Sequence, residues 1–254
     1  MFYRIKSSGR AATALCALVT LSACGGGGSS SSDTSENTVE LQAGAFVTKS
    51  VFDDGGSAEG ITYLSPTGKY ASAFDVDDIT FGSISFDGSS ISGSGTDYIL
   101  FDSWELTTGS LTGTVTSSES ASLTASAEGF NSDITLQREN TFSDRGVTLE
   151  AVSGTYTMDE AGFYTSSVTI SSDGSVTGSD ETGCVFNGTL TIPDTAINIF
   201  EVTYTASNCG DTTIATGSER DGSFAGVGAY DPSLGEISFA GRNGVVAGLF
   251  IGLR

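Results

Sequence analysis

The densest group of residues that could do chemistry is the acidic run Asp75-Val76-Asp77-Asp78. On a strand, Asp75 and Asp77 would share one face, where paired carboxylates can bind a hard cation or act as general acid and base. The run lacks the glycine and the distal glutamate of an EF-hand loop. We therefore interpret it as an exposed turn with solvated charges. A hydrolase that uses Asp75, Asp77 or Asp78 is the alternative.

Histidine is absent from the sequence. Its absence excludes Ser-His-Asp triads, Cys-His pairs and imidazole metal sites. The sequence therefore predicts a protein that is not an enzyme, with no catalytic residue, no metal and no cofactor.

Trp104 is the only tryptophan, and Phe101 and Leu106 lie close to it in the sequence. A large apolar side chain in a small β domain is usually a core residue, so we expect Trp104 in a core. The alternative is that it lines a ligand pocket in a barrel mouth.

The N-terminus is typical of a secretory signal. Arg4, Lys6 and Arg10 precede an apolar stretch at residues 11–21, which is too short to span a bilayer as a helix. The following run, Leu21-Ser22-Ala23-Cys24, resembles the lipobox of bacterial lipoproteins. The resemblance implies that residues 1–23 are a signal peptide and that Cys24 is joined to lipid and anchors the chain to a membrane. An ordinary signal peptide with a chance cysteine is the alternative.

Residues 24–37 are expected to form the lipidated cysteine and a flexible tether. After Cys24 they are glycine, serine and other polar residues without an apolar side chain, so nothing offsets the entropy of ordering them. In lipoproteins of this kind an aspartate directly after the lipidated cysteine signals inner-membrane retention. Gly25 holds that position, so the resemblance implies the outer membrane, facing either the periplasm or the cell surface.

The net charge of the chain limits the classes of partner that it can bind. Removal of residues 1–23 takes away Arg4, Lys6 and Arg10 but no acidic residue, which leaves 7 basic against 31 acidic residues and a net charge of −24. Such a chain repels nucleic acid and anionic head groups. We predict no nucleic-acid partner.

Two cysteines remain after Cys16 and Cys24 are assigned to the signal and the anchor. In an oxidising envelope, Cys184 and Cys209 are most simply a disulfide. The alternatives, a redox pair or metal ligands, are weaker because the spacing is not C-x-x-C and no histidine is present.

From residue 38 onward the pattern predicts strands. Apolar and polar residues alternate at 166–170, 188–192 and 200–205, and Asp-Gly pairs suited to hairpin turns occur at 87–88, 173–174 and 221–222. The run Pro66-Thr67-Gly68-Lys69 predicts a further turn. The expected fold class is all-β.

Two small antiparallel β domains, each a barrel or a sandwich, are predicted at residues 38–145 and 146–254. A weak internal repeat supports them, since residues 84–89 resemble residues 170–175, although Asp-Gly-Ser turns also recur by chance. The polar stretch at 137–146 is the expected junction. The apolar tail at 244–253 is expected to be a buried strand that closes the sheet of its domain.

Residues 152–157, 168–178 and 183–189 resemble a group of uncharacterised proteobacterial outer-membrane lipoproteins with a Gly/Ser tether and a C-terminal β domain. The resemblance covers most of residues 150–254 and implies a two-part β lipoprotein, but it carries over no catalytic residue. The architecture is distantly similar to the small barrels of transferrin-binding and factor-H-binding surface lipoproteins.

Taken together, these features predict a lipid-anchored bacterial envelope protein that binds a protein partner, or a small ligand in a β-barrel mouth. A purely structural envelope component is the first alternative. The carboxylate-dependent hydrolase is the second.

Overall fold

Antiparallel strands build nearly all of the fold in the computed structural model, which describes residues 39–159 and 164–254. The strands form two closed barrels, each of eight strands. The predicted all-β class with two small antiparallel β units is therefore confirmed, and both units are barrels. The predicted signal peptide at 1–23, the predicted lipidation site Cys24 and the predicted tether to residue 37 lie outside the described residues.

The first barrel is an up-and-down barrel whose consecutive strands pair with each other. Its last strand pairs with its first and closes it. In chain order the strands are β1 (Gly44–Phe52), β2 (Ser57–Leu64), β3 (Lys69–Asp75), β4 (Asp78–Asp87), β5 (Ser90–Leu100), β6 (Trp104–Ser117), β7 (Ser120–Ala127) and β8 (Phe130–Arg138).

The second barrel repeats this topology. Its strands are β9 (Gly154–Met158), β10 (Ser166–Ile170), β11 (Ser175–Asp180), β12 (Val185–Thr191), β13 (Phe200–Ser207), β14 (Gly222–Asp231), β15 (Glu236–Arg242) and β16 (Ala247–Leu253). Strand β16 pairs with β15 and, through Leu253 opposite Thr157, with β9. The apolar tail therefore closes its sheet, as predicted.

Short helices occupy the connections. Helices α1 (Asn140–Ser143) and α2 (Leu149–Val152) lie between the barrels, and α3 (Gly217–Arg220) lies between β13 and β14. The predicted domain boundary at residues 145 and 146 falls between α1 and α2. Within the described residues, no helix combines the length and the apolar character needed to cross a bilayer.

Turn chemistry explains most of the hairpins. Gly88 and Gly174 adopt φ values of +59° and +86°, as the Asp-Gly turns predict, and Gly68 in the Pro66 turn adopts +84°. The turn predicted at Asp221–Gly222 is wrong. The structure places Asp221 at the end of α3 and Gly222 at the start of β14.

The sequence repeat does not mark equivalent hairpins. Residues 84–89 connect the fourth and fifth strands of the first barrel, whereas residues 170–175 connect the second and third strands of the second barrel. The structural equivalent of Gly174 is Gly68. The carbonyl of each accepts a hydrogen bond from the fourth strand of its own barrel, from Leu190 and Ile84 respectively. The likeness of the two segments therefore reflects local turn chemistry.

Each barrel has its own apolar interior, and the two barrels also share a core cluster. The first interior includes Phe46 and Tyr70, and the second includes Tyr156 and Phe200. Burial of one such side chain stabilises the fold by about 1.5–3 kcal/mol. The shared cluster joins outward-facing side chains of both barrels: Ala45, Tyr63, Ala71, Ile79, Phe81 and Tyr98 of the first, with Val227, Ala229, Ala240 and Ala247 of the second.

Polar contacts fix the two barrels against each other beside this cluster. The Glu201 carboxylate accepts hydrogen bonds of 2.6 Å from both Ser65 and Lys69. Burial raises the pKa of Glu201, but the hydrogen bonds from Lys69, Ser65 and Thr67 outweigh burial and hold that pKa below its usual range. The Tyr63 and Ser238 hydroxyls form another bond of 2.7 Å across the same boundary.

Candidate functional site

The acidic run at 75–78 is split between a turn and a strand. Asp75 ends β3, Val76 and Asp77 form the turn, and Asp78 begins β4. The expectation that Asp75 and Asp77 share one strand face is wrong because the strand ends between them. The prediction of an exposed turn is confirmed for Asp77, and Asp75 is also exposed at the end of β3, where it accepts a 2.7 Å hydrogen bond from the Val76 amide. It is wrong for Asp78, which is half-buried on β4.

Asp78 faces the interior of the first barrel. On β4 it shares a face with Ile84, a residue of the interior cluster, because alternate strand residues point the same way. Thr80 lies on the same face and donates a 2.8 Å hydrogen bond to Asp97, which is its direct cross-strand partner on β5. Asp78 and Asp97 are thus diagonal neighbours inside one half of this barrel.

The environment of this pair favours protonation. Burial, followed by the charges of Asp97, Asp77 and Asp75, raises the pKa of Asp78 to about 6. Burial also raises the pKa of Asp97, against the hydrogen bond from Thr80. Asp78 is therefore half protonated at about pH 6 and becomes mostly ionised as the pH rises above that value.

Buried hydroxyl groups line the same half of the interior. Thr48 and Thr62 are 2.6 Å apart at their hydroxyl oxygens, and Thr62 and Ser72 are 2.7 Å apart. Ser72 lies opposite Thr80, which binds Asp97. The interior of the first barrel is therefore apolar at one end and polar and acidic at the other.

This acidic half does not assemble a metal centre. In the parts of the chain that the structure describes, no three carboxylate or cysteine side chains come together in a way that could hold a metal ion. Asp97 was not singled out in the sequence because its approach to Asp78 depends on the register of β4 against β5, which is a non-local property.

The second barrel has a different mouth, with a cavity of about 190 Å³. Its wall is largely apolar, and the lining side chains include Met158, Val168, Val176, Phe186, Tyr204, Phe224, Phe239, Val246 and Phe250. A cavity of about 150 Å³ lined by similar side chains can stay dry and hold a benzene-sized molecule. The mouth therefore has room for one aromatic ring or a short alkyl chain.

Aromatic rings form the floor of this cavity. The Tyr204 ring stacks on Phe224 with centroids 4.9 Å apart and meets Phe186 and Phe239 edge-on at 5.8 and 6.3 Å. Tyr204 packs against both the interior cluster and the rim cluster, so it lies between the mouth and the core. These contacts hold the rings in place before any ligand enters.

The Tyr204 hydroxyl is the available polar group of the floor. The Tyr204 hydroxyl forms no hydrogen bond with any other residue in 39–159 and 164–254. Since every fully buried side-chain polar atom in these ranges has a partner, this hydroxyl is not fully buried. It lies near Gly241, which is opposite Gly248 of the cavity wall. Burial raises the pKa of the Tyr204 phenol, so the group is a neutral donor.

An ion pair that is also hydrogen-bonded to other protein groups forms one wall. Arg220 pairs with Asp180, and it also donates hydrogen bonds to Thr182 (2.8 Å) and to the Gly210 carbonyl (2.7 Å). The other oxygen of Asp180 accepts from the Thr182 hydroxyl at 2.7 Å and from the Cys184 amide at 3.1 Å. Because the charges of Arg220 and Asp180 neutralise each other, the wall does not attract ions of either sign.

The predicted disulfide is present at the rim of the same cavity. Cys184 precedes β12 and Cys209 follows β13, and the bond between them spans a sequence separation of 25. Cys184 also lines the cavity. Closing a loop of this size stabilises a fold by roughly 3 kcal/mol in the chain-entropy model.

Trp104 lies outside both barrel interiors. It is half-buried on the outward face of β6, where it packs against the shared inter-barrel cluster and the rim cluster of the second barrel. The alternative that it lines a barrel mouth is wrong, because it is absent from the cavity wall. Its contact with the rim cluster of Ala206, Phe224 and Val246 makes it a natural fluorescent reporter of that mouth.

No family model, curated protein or solved structure matches this chain. The resemblance to proteobacterial lipoproteins therefore stays a prediction. A functional proposal has to rest on the chemistry of the barrel interiors and of the barrel surfaces.

Proposed function

We propose that the protein is a lipid-anchored envelope protein of the binding type, and that its ligand site is the mouth of the second barrel. The ligand is a small, neutral, mostly apolar molecule with a single hydrogen-bond acceptor. The observation that carries the proposal is the 190 Å³ cavity with an aromatic floor and a mutually neutralised ion pair in its wall. Ligand sites generally combine apolar walls with a few placed polar groups.

The size of the cavity limits the ligand. Drug-sized ligands occupy pockets of roughly 300–1,000 Å³, which exceed this one. One ring or a short chain fits, and its acceptor atom would accept a hydrogen bond from the Tyr204 hydroxyl. A charged ligand is disfavoured because the neighbouring charges, Asp180 and Arg220, already neutralise each other.

The two alternative functions have less support. A barrel with a purely structural role would be more stable if side chains filled this cavity, because an empty cavity loses dispersion contacts and apolar burial. The hydrolase alternative needs converging carboxylates, but of the three predicted residues only Asp78 faces inward. Its neighbour Asp97 is already hydrogen-bonded to Thr80.

A titration with benzyl alcohol tests the binding site. It supplies one ring and one oxygen, and we expect a dissociation constant of about 1 mM or lower. The sole tryptophan, Trp104, reports on the rim by fluorescence, and amide shifts should concentrate around Val168, Phe224 and Gly248. Toluene, which has no acceptor atom, should bind the wild type more weakly than benzyl alcohol does. Tyr204→Phe, which lacks the hydroxyl, should bind the two molecules equally well.

A blocking variant sharpens this test. A Cβ added at Gly248 would meet no other atom within 4 Å, so Gly248→Leu should fill the mouth without disturbing the fold. Thr177→Leu is the control, since Thr177 is exposed on the outer face of β11. The proposal fails if benzyl alcohol binds Gly248→Leu as well as it binds the wild type and Thr177→Leu.

The anchor needs its own experiment, because Cys24 lies outside the described residues. Intact-mass analysis of the chain from bacterial membranes should find an N-terminus at Cys24 that carries diacylglycerol and acyl groups. Cys24→Ser should release the protein into the soluble fraction. An unlipidated chain, or one that starts elsewhere, would remove the anchor from the proposal and leave the ligand site untouched.

A further inference from the structure

Four loops meet at the acidic end of the first barrel, at residues 53–56, 76–77, 101–103 and 128–129. Each joins two neighbouring strands, and hairpin loops that alternate along an up-and-down barrel emerge at the same end. We call this surface the loop face. It belongs to a different barrel from the proposed ligand site.

Three phenylalanines stand exposed on the loop face. Phe101 and Phe130 are 67% and 78% exposed, and Phe52 is 41% exposed. Single exposed apolar side chains are normal, but here three lie at one end of a barrel: Phe52 ends β1, Phe130 begins the neighbouring β8, and Phe101 lies in the loop between β5 and β6. Loops on a rigid barrel are also the usual carriers of binding residues.

Hydrogen bonds join neighbouring loops and support these side chains. The Asp53 carboxylate accepts from the Asn131 amide at 3.1 Å, which joins the loops that carry Phe52 and Phe130. The Leu100 amide, beside Phe101, donates to the Asp77 carbonyl at 2.8 Å. The surface is therefore partly organised before a partner arrives, which lowers the entropy cost of binding.

The loops of this face carry only negative charges, and Lys49 lies outside them, on the outer face of β1 three residues before Phe52. The loop face and the strand ends beneath it carry the carboxylates Asp53, Asp54, Asp75, Asp77, Asp78, Asp97, Asp102 and Glu128. No lysine or arginine lies in the four loops. Lys69 and Arg138 belong to the opposite end of the barrel, at the start of β3 and the end of β8.

We propose that the loop face docks a cationic, partly apolar protein segment, whose apolar side chains cover Phe52, Phe101 and Phe130 while its lysines or arginines pair with the surrounding carboxylates. Complementary charge steers such a segment to the surface, and the aromatic side chains supply the buried contact. A bilayer is a poorer occupant, because the same carboxylates would be pressed against head groups, which are anionic in many membranes.

Synthetic peptides test this inference on the full chain. The probe is a peptide of alternating lysine and leucine, compared with peptides of alternating lysine and serine and of glutamate and leucine. We expect the lysine–leucine peptide to bind at least about tenfold more tightly than either of the others, and to weaken as salt is raised.

Surface variants locate the contact. Phe101→Ser with Phe130→Ser should weaken the lysine–leucine peptide by about tenfold or more. Leu234→Ser is the control, since Leu234 is 61% exposed on the second barrel. All these positions lie at exposed loops or a strand end, so the fold should be unaffected, and circular dichroism checks this.

Several results would overturn the proposal. Equal binding of the double phenylalanine variant and the wild type would mean that the peptide responds only to the general negative charge. Equal binding of the lysine–serine peptide would mean the same. If the wild type co-sediments with phosphatidylcholine vesicles and the double variant does not, the occupant is a membrane. The N-terminal segment is the same in both proteins, so it does not account for such a difference.

Discussion

Asp78→Asn is expected to stabilise the protein at neutral pH and to have little effect at acidic pH. The carboxyl is half-buried at the acidic end of the first barrel, where burial and Asp97 raise its pKa from 3.8 to about 6. The folded state therefore binds this proton more tightly than the unfolded state does. The contribution of this proton to the free energy of unfolding is present below pH 4 and is lost as the pH rises through 6. The reason is that stability falls with pH wherever the folded state holds more protons than the unfolded state.

The magnitude follows from the shift in pKa. About two units correspond to about 3 kcal/mol, since one unit is worth 1.36 kcal/mol. Asp78 is only half-buried, so solvent screening reduces the effect to about 1–2 kcal/mol. Asparagine has the shape of aspartic acid and no charge, so the variant should keep this stability at all pH values.

Chemical denaturation at about pH 4 and about pH 8 measures the effect. The difference in unfolding free energy between Asp78→Asn and the wild type should be near zero at the lower pH and about 1–2 kcal/mol at the higher one. Asp87→Asn is the control, since it removes the same charge from an exposed position at the other end of β4. A difference that is the same at both pH values, or that Asp87→Asn reproduces, would refute the reasoning.

Three further changes should alter stability. Arg220→Met leaves Asp180 buried without its partner and should cost about 3–5 kcal/mol in urea unfolding; a loss below about 1 kcal/mol would show that the pair is not buried in solution. Replacing both Cys184 and Cys209 by alanine should cost roughly 3 kcal/mol, and reduction of the wild type should give the same loss; an unchanged melting temperature after reduction would argue against the bond. Ile79→Ala, in the cluster shared by the barrels, should cost about 2–5 kcal/mol and still give one unfolding transition; two separate transitions would show that the barrels unfold independently.

The strand content could be predicted from the sequence because it depends on local signals. Alternation at 166–170 marks β10, and the glycines of the Asp87–Gly88 and Asp173–Gly174 turns adopt the positive φ that such turns require. The prediction of a turn at Asp221–Gly222 failed because the preceding segment forms α3, and the Asp221 amide donates a hydrogen bond of 2.9 Å to the Gly217 carbonyl at the C-terminus of that helix. A local Asp-Gly pair does not determine whether the neighbouring residues form a hairpin turn or the end of a helix.

The candidate sites depend on non-local pairing, so most of their residues could not be predicted from the sequence. The closeness of Asp78 and Asp97 depends on the register of β4 and β5, and a shift of one residue would place the two carboxyls on opposite faces of the sheet. The mouth cavity depends on how Tyr204 and Phe224 pack across the second barrel. The cysteine count nevertheless predicted the disulfide, because Cys184 and Cys209 were the only two cysteines left to pair.

The most direct test of the proposed ligand site is a map of intermolecular nuclear Overhauser effects between bound benzyl alcohol and the protein. The ring protons should show contacts to side chains of Val168, Phe224 and Val246 in the mouth of the second barrel. Contacts confined to the first barrel or to the outer surface would contradict the account, and so would the absence of any contact at saturating benzyl alcohol.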